Sequence, residues 1–555
     1  MRQSERLPQG QNFLLSPNSS HGQLSRVRSL RPLAAVSLVS AAAVLFFCTK
    51  SSPFYPINDW LDANCFLTVG KAMFQGQVLY RDIYEQKGPL VYFLYGLAAQ
   101  VFPRSWLGVY LLEVLSGAVF LFFSGRTLLL LARPEEIPRT VYGRSLAAVP
   151  LLAALTFTSH AFYQGGGSVE EYALPVFALA LYHLVRGLRE KRELSLAVWL
   201  LHGLLAGCLL WMKYAVLGFS AAWCFVMVWP LLRRRRFGAV ILRTAVFLGG
   251  MSLATLPWIG YFAANHALGD WLSAYVYHNI VHYQAAPLTA GKWLYNLATA
   301  AGFNVSLTGL GLLSLRFLRS RPAWRGWVLA LPPLAYLAGA YLGARTAYSF
   351  LPMAVLTPLG LAALARWVCD SNNSRANRRD AGHGSSGPPA AALSRVRRSR
   401  RQAVLAAGLG LAVLLPLPWS FRHTHVRYAR QDLPQVRFAQ VIQADPRYPN
   451  LSLLDFSHLD YGFYQATGIL PDVKYFCDLN IHFDEITQAQ RQWLEEGRFD
   501  YVVCFDPAPR AMTKQPLAGL IASGRYRHVA SASYVYERKE RKFLLLARAG
   551  EGEEG

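Results

Sequence analysis

Uncharged apolar runs such as PLAAVSLVSAAAVLFFC (32–48) and AVLAAGLGLAVLLPLPW (403–419) constrain this chain more than any other feature. A helix needs about 20 apolar residues to cross a hydrocarbon core of roughly 30 Å. Comparable runs fall at 33–49, 107–131, 145–160, 171–187, 195–211, 214–231, 239–262, 296–318, 326–342, 347–366 and 402–420. Their repetition excludes a soluble protein with one apolar core helix. Across 555 residues, 53% are hydrophobic and only 16% charged, well to the apolar side of a soluble domain. The sequence predicts a polytopic α-helical membrane protein with about eleven transmembrane helices.

The net charge of +24 does not point to nucleic acid. No basic stripe with interleaved aromatics lies on a soluble segment. The arginines cluster between apolar runs instead, as at Arg26–Arg31, Arg186–Arg192, Arg233–Arg236 and Arg316–Arg325. Every second loop is basic, which places those loops in the cytoplasm. The N-terminus is then cytoplasmic and the C-terminus outside, in a multi-pass protein of the cell membrane. This parity requires that 88–103 not cross, so PLVYFLYGLAAQVF reads as an interfacial or re-entrant helix with Tyr92, Phe93 and Tyr95 at headgroup depth. The expected organisation is a disordered basic tail (1–32), a transmembrane module (33–369) with its first outer loop at 50–106, a basic cytoplasmic linker (370–401), a last span (402–420) and an outer domain (421–555).

In that last domain the runs LSLLDF, VKYFC, FDYVVCF, HVASASYVYE and KFLLLAR read as strands. FDEITQAQRQWLEEG reads as a helix ended by Gly497. The expectation is a small extracytoplasmic α/β domain without a nucleotide fingerprint. The seven cysteines form no CxxC pair. Cys477 and Cys504 can form a disulfide if the domain lies outside the cytoplasm; spacing leaves the pairing open.

Ionisable residues at the membrane edge are costly and mark function. The outer face gathers Asp59, Asp62, Asp82, Glu85, Glu170 and Glu171. Asp59 and Asp62 are three residues apart and share a face if both are helical. Glu170 and Glu171 open an apolar helix; they either compensate its dipole or belong to a site. The preceding Gly165–Gly167 lets backbone approach a neighbour closely. Lys87, before Gly88-Pro89, is placed to meet a lipid phosphate or simply to snorkel. Arg345 and Tyr348 lie at an outer helix end, where Arg pairs with anions. His278 and His282 have i, i+4 spacing, a weak metal pattern without an accompanying HExxH.

An aspartate in the first outer loop followed by GKAMFQGQVLYRDIYEQKGPLVYFL (70–94) resembles the GT-C superfamily of integral-membrane glycosyltransferases. Protein O-mannosyltransferases and lipid A aminoarabinose transferases are the nearest in pattern. GGGSVEEYALPVFALALY (165–182) resembles their second acidic element. The motifs cover roughly residues 33 to 190, and the remainder agrees only in outline. Two departures stand out: Ala63 follows Asp62 where a second acid is common, and ARTAYSFLP (344–352) replaces a His-bearing turn. They leave metal use and acceptor chemistry open.

The resemblance implies transfer of a sugar from a polyprenyl-phosphate donor on the outer membrane face. The acceptor would be a glycolipid, a wall polymer or a protein. It makes Asp62 the first-loop acid and general base, with Asp59 beside it. Lys87 would contact the donor phosphate, joined by Arg81, Arg345 and Tyr348, and Glu170 or Glu171 would be the second acid. A divalent metal remains an option and no other cofactor is implied. Two other classes fit less well. A transporter or lipid-linked-sugar flippase would place its site near the midplane, often between repeated halves. A scaffold protein would leave the paired acidic motifs without a role.

Overall fold

The computed structural model describes residues 30–131, 138–162, 165–282, 289–319, 323–341, 346–366, 428–456, 459–478, 481, 484–506, 517–536 and 539–549. The expected N-terminal tail up to residue 29, the linker, the span at 402–420 and Arg345 lie outside the described residues. Among the described residues, five helices are long and apolar enough to cross a membrane: Arg31–Cys48, Leu107–Leu131, Tyr214–Arg233, Phe237–Ala264 and Tyr348–Arg366. The protein is a multi-pass α-helical membrane protein.

Helix α1 (Arg31–Cys48) begins with Pro32, whose missing N–H costs nothing in a first turn. It packs on α4 (Leu107–Leu131), where Gly117 and Gly125 receive Ala41, Leu45 and Leu33. Likewise Gly203 and Gly207 of α7 (Leu196–Leu210) touch Phe247 and Met251 of α9 (Phe237–Ala264). Lipid offers apolar groups no gain from association, so small residues that let backbones approach carry the packing.

The expected span at 296–318 is not one continuous helix. It is two helices, Ala290–Phe303 and Val305–Leu315, meeting at 102°. Asn304 accounts for the break. Its side-chain amide donates to the Ala300 carbonyl, and its side-chain oxygen accepts from the Ala161 amide at 2.7 Å. Such local competition interrupts a helical ladder.

Residues 50–106 fold as two short helices, α2 (Leu61–Phe74) and α3 (Pro89–Val101). They meet closely where Gly70 faces Gly96. At 13 residues, α3 is about 20 Å long, less than a hydrocarbon core. The turn between them is fastened by Asp82, whose carboxylate accepts from the Val78 amide at 2.8 Å.

Residues beyond 428 build a four-stranded mixed sheet of order β1-β2-β4-β3. Strands β1 (Leu453–Asp455) and β2 (Tyr501–Asp506) run parallel. Strand β4 (Lys539–Arg548) is antiparallel to β2 and to β3 (Tyr526–Tyr536). The helix Asp484–Glu495 forms as expected, and Gly497 takes φ +67° after it.

VKYFC is not a strand. Its Lys474 carbonyl accepts from the Tyr84 amide at 2.9 Å, so this apolar run is spent on the first outer segment rather than on the sheet. The same interface carries Thr68 donating to Asp460 at 2.6 Å and Lys71 donating to Gln465. Cys477 and Cys504 do not meet. The Cys477 thiol neighbours Cys65 of α2, while Cys504 Sγ donates to the Leu544 carbonyl.

Candidate functional site

Asp62 sits in the first turn of α2, half-buried. Asn58 sets the helix entry by accepting from the Trp60 amide at 2.9 Å. Because the helix starts at Leu61, Asp59 precedes it and does not share its face with Asp62, contrary to expectation. Asp59 turns instead to Lys50 at 2.5 Å, deep in the protein.

Across from Asp62 lies Tyr348, whose hydroxyl donates to Asp62 Oδ2 at 3.4 Å. Tyr348 opens the 3-10 turn at Tyr348–Leu356, and its ring lies edge-on to Trp60. The Lys213 ammonium is 5.3 Å from the centre of the same ring. Lys213 also pairs with Glu170 at 2.6 Å, and Ser349 Oγ lies 3.5 Å from that carboxylate. Asp62, Tyr348, Lys213 and Glu170 are thus one cluster, drawn from four distant parts of the chain.

The two adjacent glutamates of α6 (Val169–Glu190) part company here. Glu170 faces Lys213. Glu171 is fully buried and accepts from the Gly167 amide at 2.7 Å. Ser168 caps the helix by accepting from the Glu171 amide. The glycines approach their neighbours as closely as expected. Gly165, Gly166 and Gly167 all have φ between +81° and +96°, and they press on Lys50, Glu113 and Tyr95. Glu113, a second fully buried acid from the middle of α4, was not visible as part of this arrangement in the sequence.

Gly88 explains how Lys87 reaches the neighbourhood. Its amide donates to the Met212 carbonyl at 2.9 Å, and the Leu90 amide donates to the Trp211 carbonyl at 3.0 Å. Segment 87–90 therefore runs beside 211–213, the segment that carries Lys213. A Cβ at Gly88 would collide with the Trp211 carbonyl. Glu85 is buried and holds this turn: it accepts from the Lys87 amide at 2.9 Å and from the Tyr92 hydroxyl. Its carboxylate is 3.9 Å from the Lys87 ammonium.

Other predicted residues go elsewhere. Arg81 is half-exposed and is used by Asp82 and by the Asn265 carbonyl. His278 and His282 stack edge to face at 5.3 Å, but the His278 ring nitrogens face the Tyr84 hydroxyl at 2.9 Å and Ser273 Oγ at 3.3 Å. Among the described residues no group of three or more His, Cys, Asp or Glu side chains is arranged to hold a metal ion.

Two cavities are lined by residues that neighbour members of the cluster in the chain. One, of about 370 Å³, has a mostly apolar and aromatic lining that includes Leu210, Trp211, Tyr214, Thr255, Trp271 and Tyr275. Trp211 and Tyr214 lie within two residues of Lys213 in the chain. The other, of about 680 Å³, opens between the first outer segment and the sheet domain, with Asn58 and Asn64 on one wall and Gln440 and Gln443 on the other. Asn58 and Asn64 bracket Asp59 and Asp62 in the chain. Chemically, the cluster offers a carboxylate able to accept a proton and a cation able to meet an anion.

Lys213 is the residue that sequence reasoning missed. Its signal was present: WMKYAV holds a lone basic residue between the runs at 195–211 and 214–231. By loop parity that turn is on the less basic side.

This fold defines a class, the multi-pass α-helical membrane proteins that share the fold of two solved structures. Both structures are of ArnT from Cupriavidus metallidurans. The one bound to undecaprenyl phosphate superposes with a TM-score of 0.54 at 13% identity, covering 92% of this chain and 97% of that one. The apo form gives 0.55 at 13% identity, covering 93% and 98%. No family model and no curated protein matches this sequence.

Proposed function

We propose that this protein transfers a sugar from a polyprenyl-phosphate donor to a hydroxyl-bearing acceptor on the outer face of the membrane. The observation that carries the reading is the cluster of Asp62, Tyr348, Lys213 and Glu170, with an apolar cavity lined by Trp211 and Tyr214 on either side of Lys213 in the chain. A donor of this kind needs a channel for its tail, a cation for its phosphate and a base near its anomeric carbon. The ArnT structure that holds undecaprenyl phosphate supports a lipid of that type.

In this reading the acceptor oxygen attacks the anomeric carbon and gives its proton to Asp62, the general base. The bond from that carbon to the phosphate oxygen breaks, and polyprenyl phosphate leaves with the electron pair. Lys213, with Lys87 from the neighbouring segment, meets the charge that develops on the phosphate. Glu170 orients Lys213, and Tyr348 orients Asp62. The acceptor enters through the amide-lined cleft beside Asn58 and Asn64. It is a glycolipid, a wall polymer or a protein.

A panel of radiolabelled polyprenyl-phosphate sugars, offered with native membrane extract to the protein in bilayers, tests this. Label should enter an acceptor with the unaltered chain and stay on the donor with Asp62→Asn. Translocation of intact donor without cleavage would replace the proposal with a lipid-linked-sugar flippase.

A further inference from the structure

We propose that Cys65 and Cys477 are joined by a disulfide in the mature protein, clamping the helix that carries Asp62 to the C-terminal sheet domain. The two thiols, both free in the structure, are neighbours across that interface. Both are shut away from solvent, Cys65 at 1% exposure and Cys477 at 0%.

Their surroundings hold the pair in place. One turn beyond Cys65 on α2, Thr68 donates to Asp460 at 2.6 Å, and Lys71 donates to Gln465 a turn further. On the other side, the Gln490 side chain donates to the Cys477 carbonyl at 3.0 Å and to that of Tyr475 at 2.9 Å. These contacts fix both backbones independently of the sulfurs. The competing partner inside the domain, Cys504 on β2, donates to the Leu544 carbonyl of the neighbouring β4. Cys48, Cys208 and Cys224 belong to or end the apolar helices.

The location makes the chemistry available. Loop parity puts both cysteines on the outer face, where disulfides persist. In the step itself the two thiols lose two protons and two electrons and form one S–S bond. A dithiol–disulfide oxidant of the outer compartment accepts the electrons and becomes a dithiol. Exchange takes place as the domain docks, before the thiols are covered. The link closes a very long loop, the case in which the chain-entropy account gives a cross-link most effect.

The test is a thiol map of the full chain isolated from native membranes, alkylated before lysis and digested without reductant. Mass spectrometry should find the Cys65 and Cys477 peptides joined. The link should survive in Cys504→Ser, while Cys65→Ser should leave Cys477 fully alkylated after unfolding. Cys65 and Cys477 both alkylated in the unaltered protein, or Cys477 joined to Cys504, overturns the proposal.

Discussion

The Lys213 ammonium lies 2.6 Å from Glu170 Oε1, and the same ammonium stands 5.3 Å from the centre of the Tyr348 ring. Glu170 is almost fully buried, whereas the Lys213 side chain keeps 21% of its surface exposed. The carboxylate is therefore the more deeply held partner, and the lysine keeps some access to solvent. A buried acid that holds a partly exposed cation is suited to positioning charge against a bound anion.

Replacing Lys213 should then cost more than a surface ion pair would. Lys213→Ala is expected to lower kcat by about 10²–10³, the usual loss when one charge-stabilising donor is removed. It should also destabilise the fold, because Glu170 stays buried without its partner. Glu170→Gln keeps the shape and should raise KM for the donor more than it alters folding. Initial rates and thermal unfolding on the same preparations separate the two effects.

Asp62 and Tyr348 should differ in weight. Asp62→Asn keeps the volume and removes the base, with an expected loss of about 10²–10⁴ in kcat. The Tyr348 hydroxyl makes only a long contact of 3.4 Å, so Tyr348→Phe should cost roughly tenfold or less, the value of one weak hydrogen bond. Equal losses in the two variants would argue against the assignment of the base.

Gly88 is predicted to be intolerant for a steric reason. A methyl group there meets the Trp211 carbonyl and Met212 amide backbone, which cannot yield as a side-chain tip can. Gly88→Ala should destabilise by about 1–3 kcal/mol or more and separate Lys87 from Lys213. Gly249→Ala, whose Cβ would have nothing within 4 Å, is the matched control. Thermal midpoints of both variants check this.

Asp460 should make the sheet domain's docking depend on pH. Burial pushes its carboxyl up to about 6, against the opposing pull of the Thr68 hydroxyl, the Gly462 amide and Lys71. A carboxyl raised in the folded state favours folding when protonated. Its contribution is complete below the unfolded value near 3.8 and is lost as pH rises through about 6. The native protein should therefore lose stability between about pH 4 and pH 7, relative to Asp460→Asn, by an amount on the order of 2–3 kcal/mol. Asparagine retains an acceptor for Gly462 and does not titrate. Unfolding midpoints of both proteins across that range measure the difference.

The sequence made the membrane architecture legible because long apolar runs are a local signal. Loop arginines also put 50–106 and the C-terminal residues on one side, and the structure joins them through Thr68 and Asp460. What stayed hidden was every relation set by tertiary contact. Glu170 and Glu171 are neighbours with identical side chains, and only helix placement sends one to Lys213 and the other to the Gly167 amide. Asp59 and Asp62 looked equivalent by spacing until the helix start at Leu61 divided them. VKYFC carries a strand-like pattern, yet the backbone partner it finds is Tyr84. Lys213 was readable as a lone charge between two runs, but nothing local named its partners.

The most direct test of the central claim couples two products in one measurement. Proteoliposomes holding the protein and a doubly labelled polyprenyl-phosphate sugar are followed for free polyprenyl phosphate and for sugar on the acceptor. The account predicts one lipid phosphate released per sugar transferred by the unaltered protein, and neither product from Asp62→Asn although it still binds the donor. Equal turnover by Asp62→Asn, or intact donor moved to the other leaflet with no release, would contradict it.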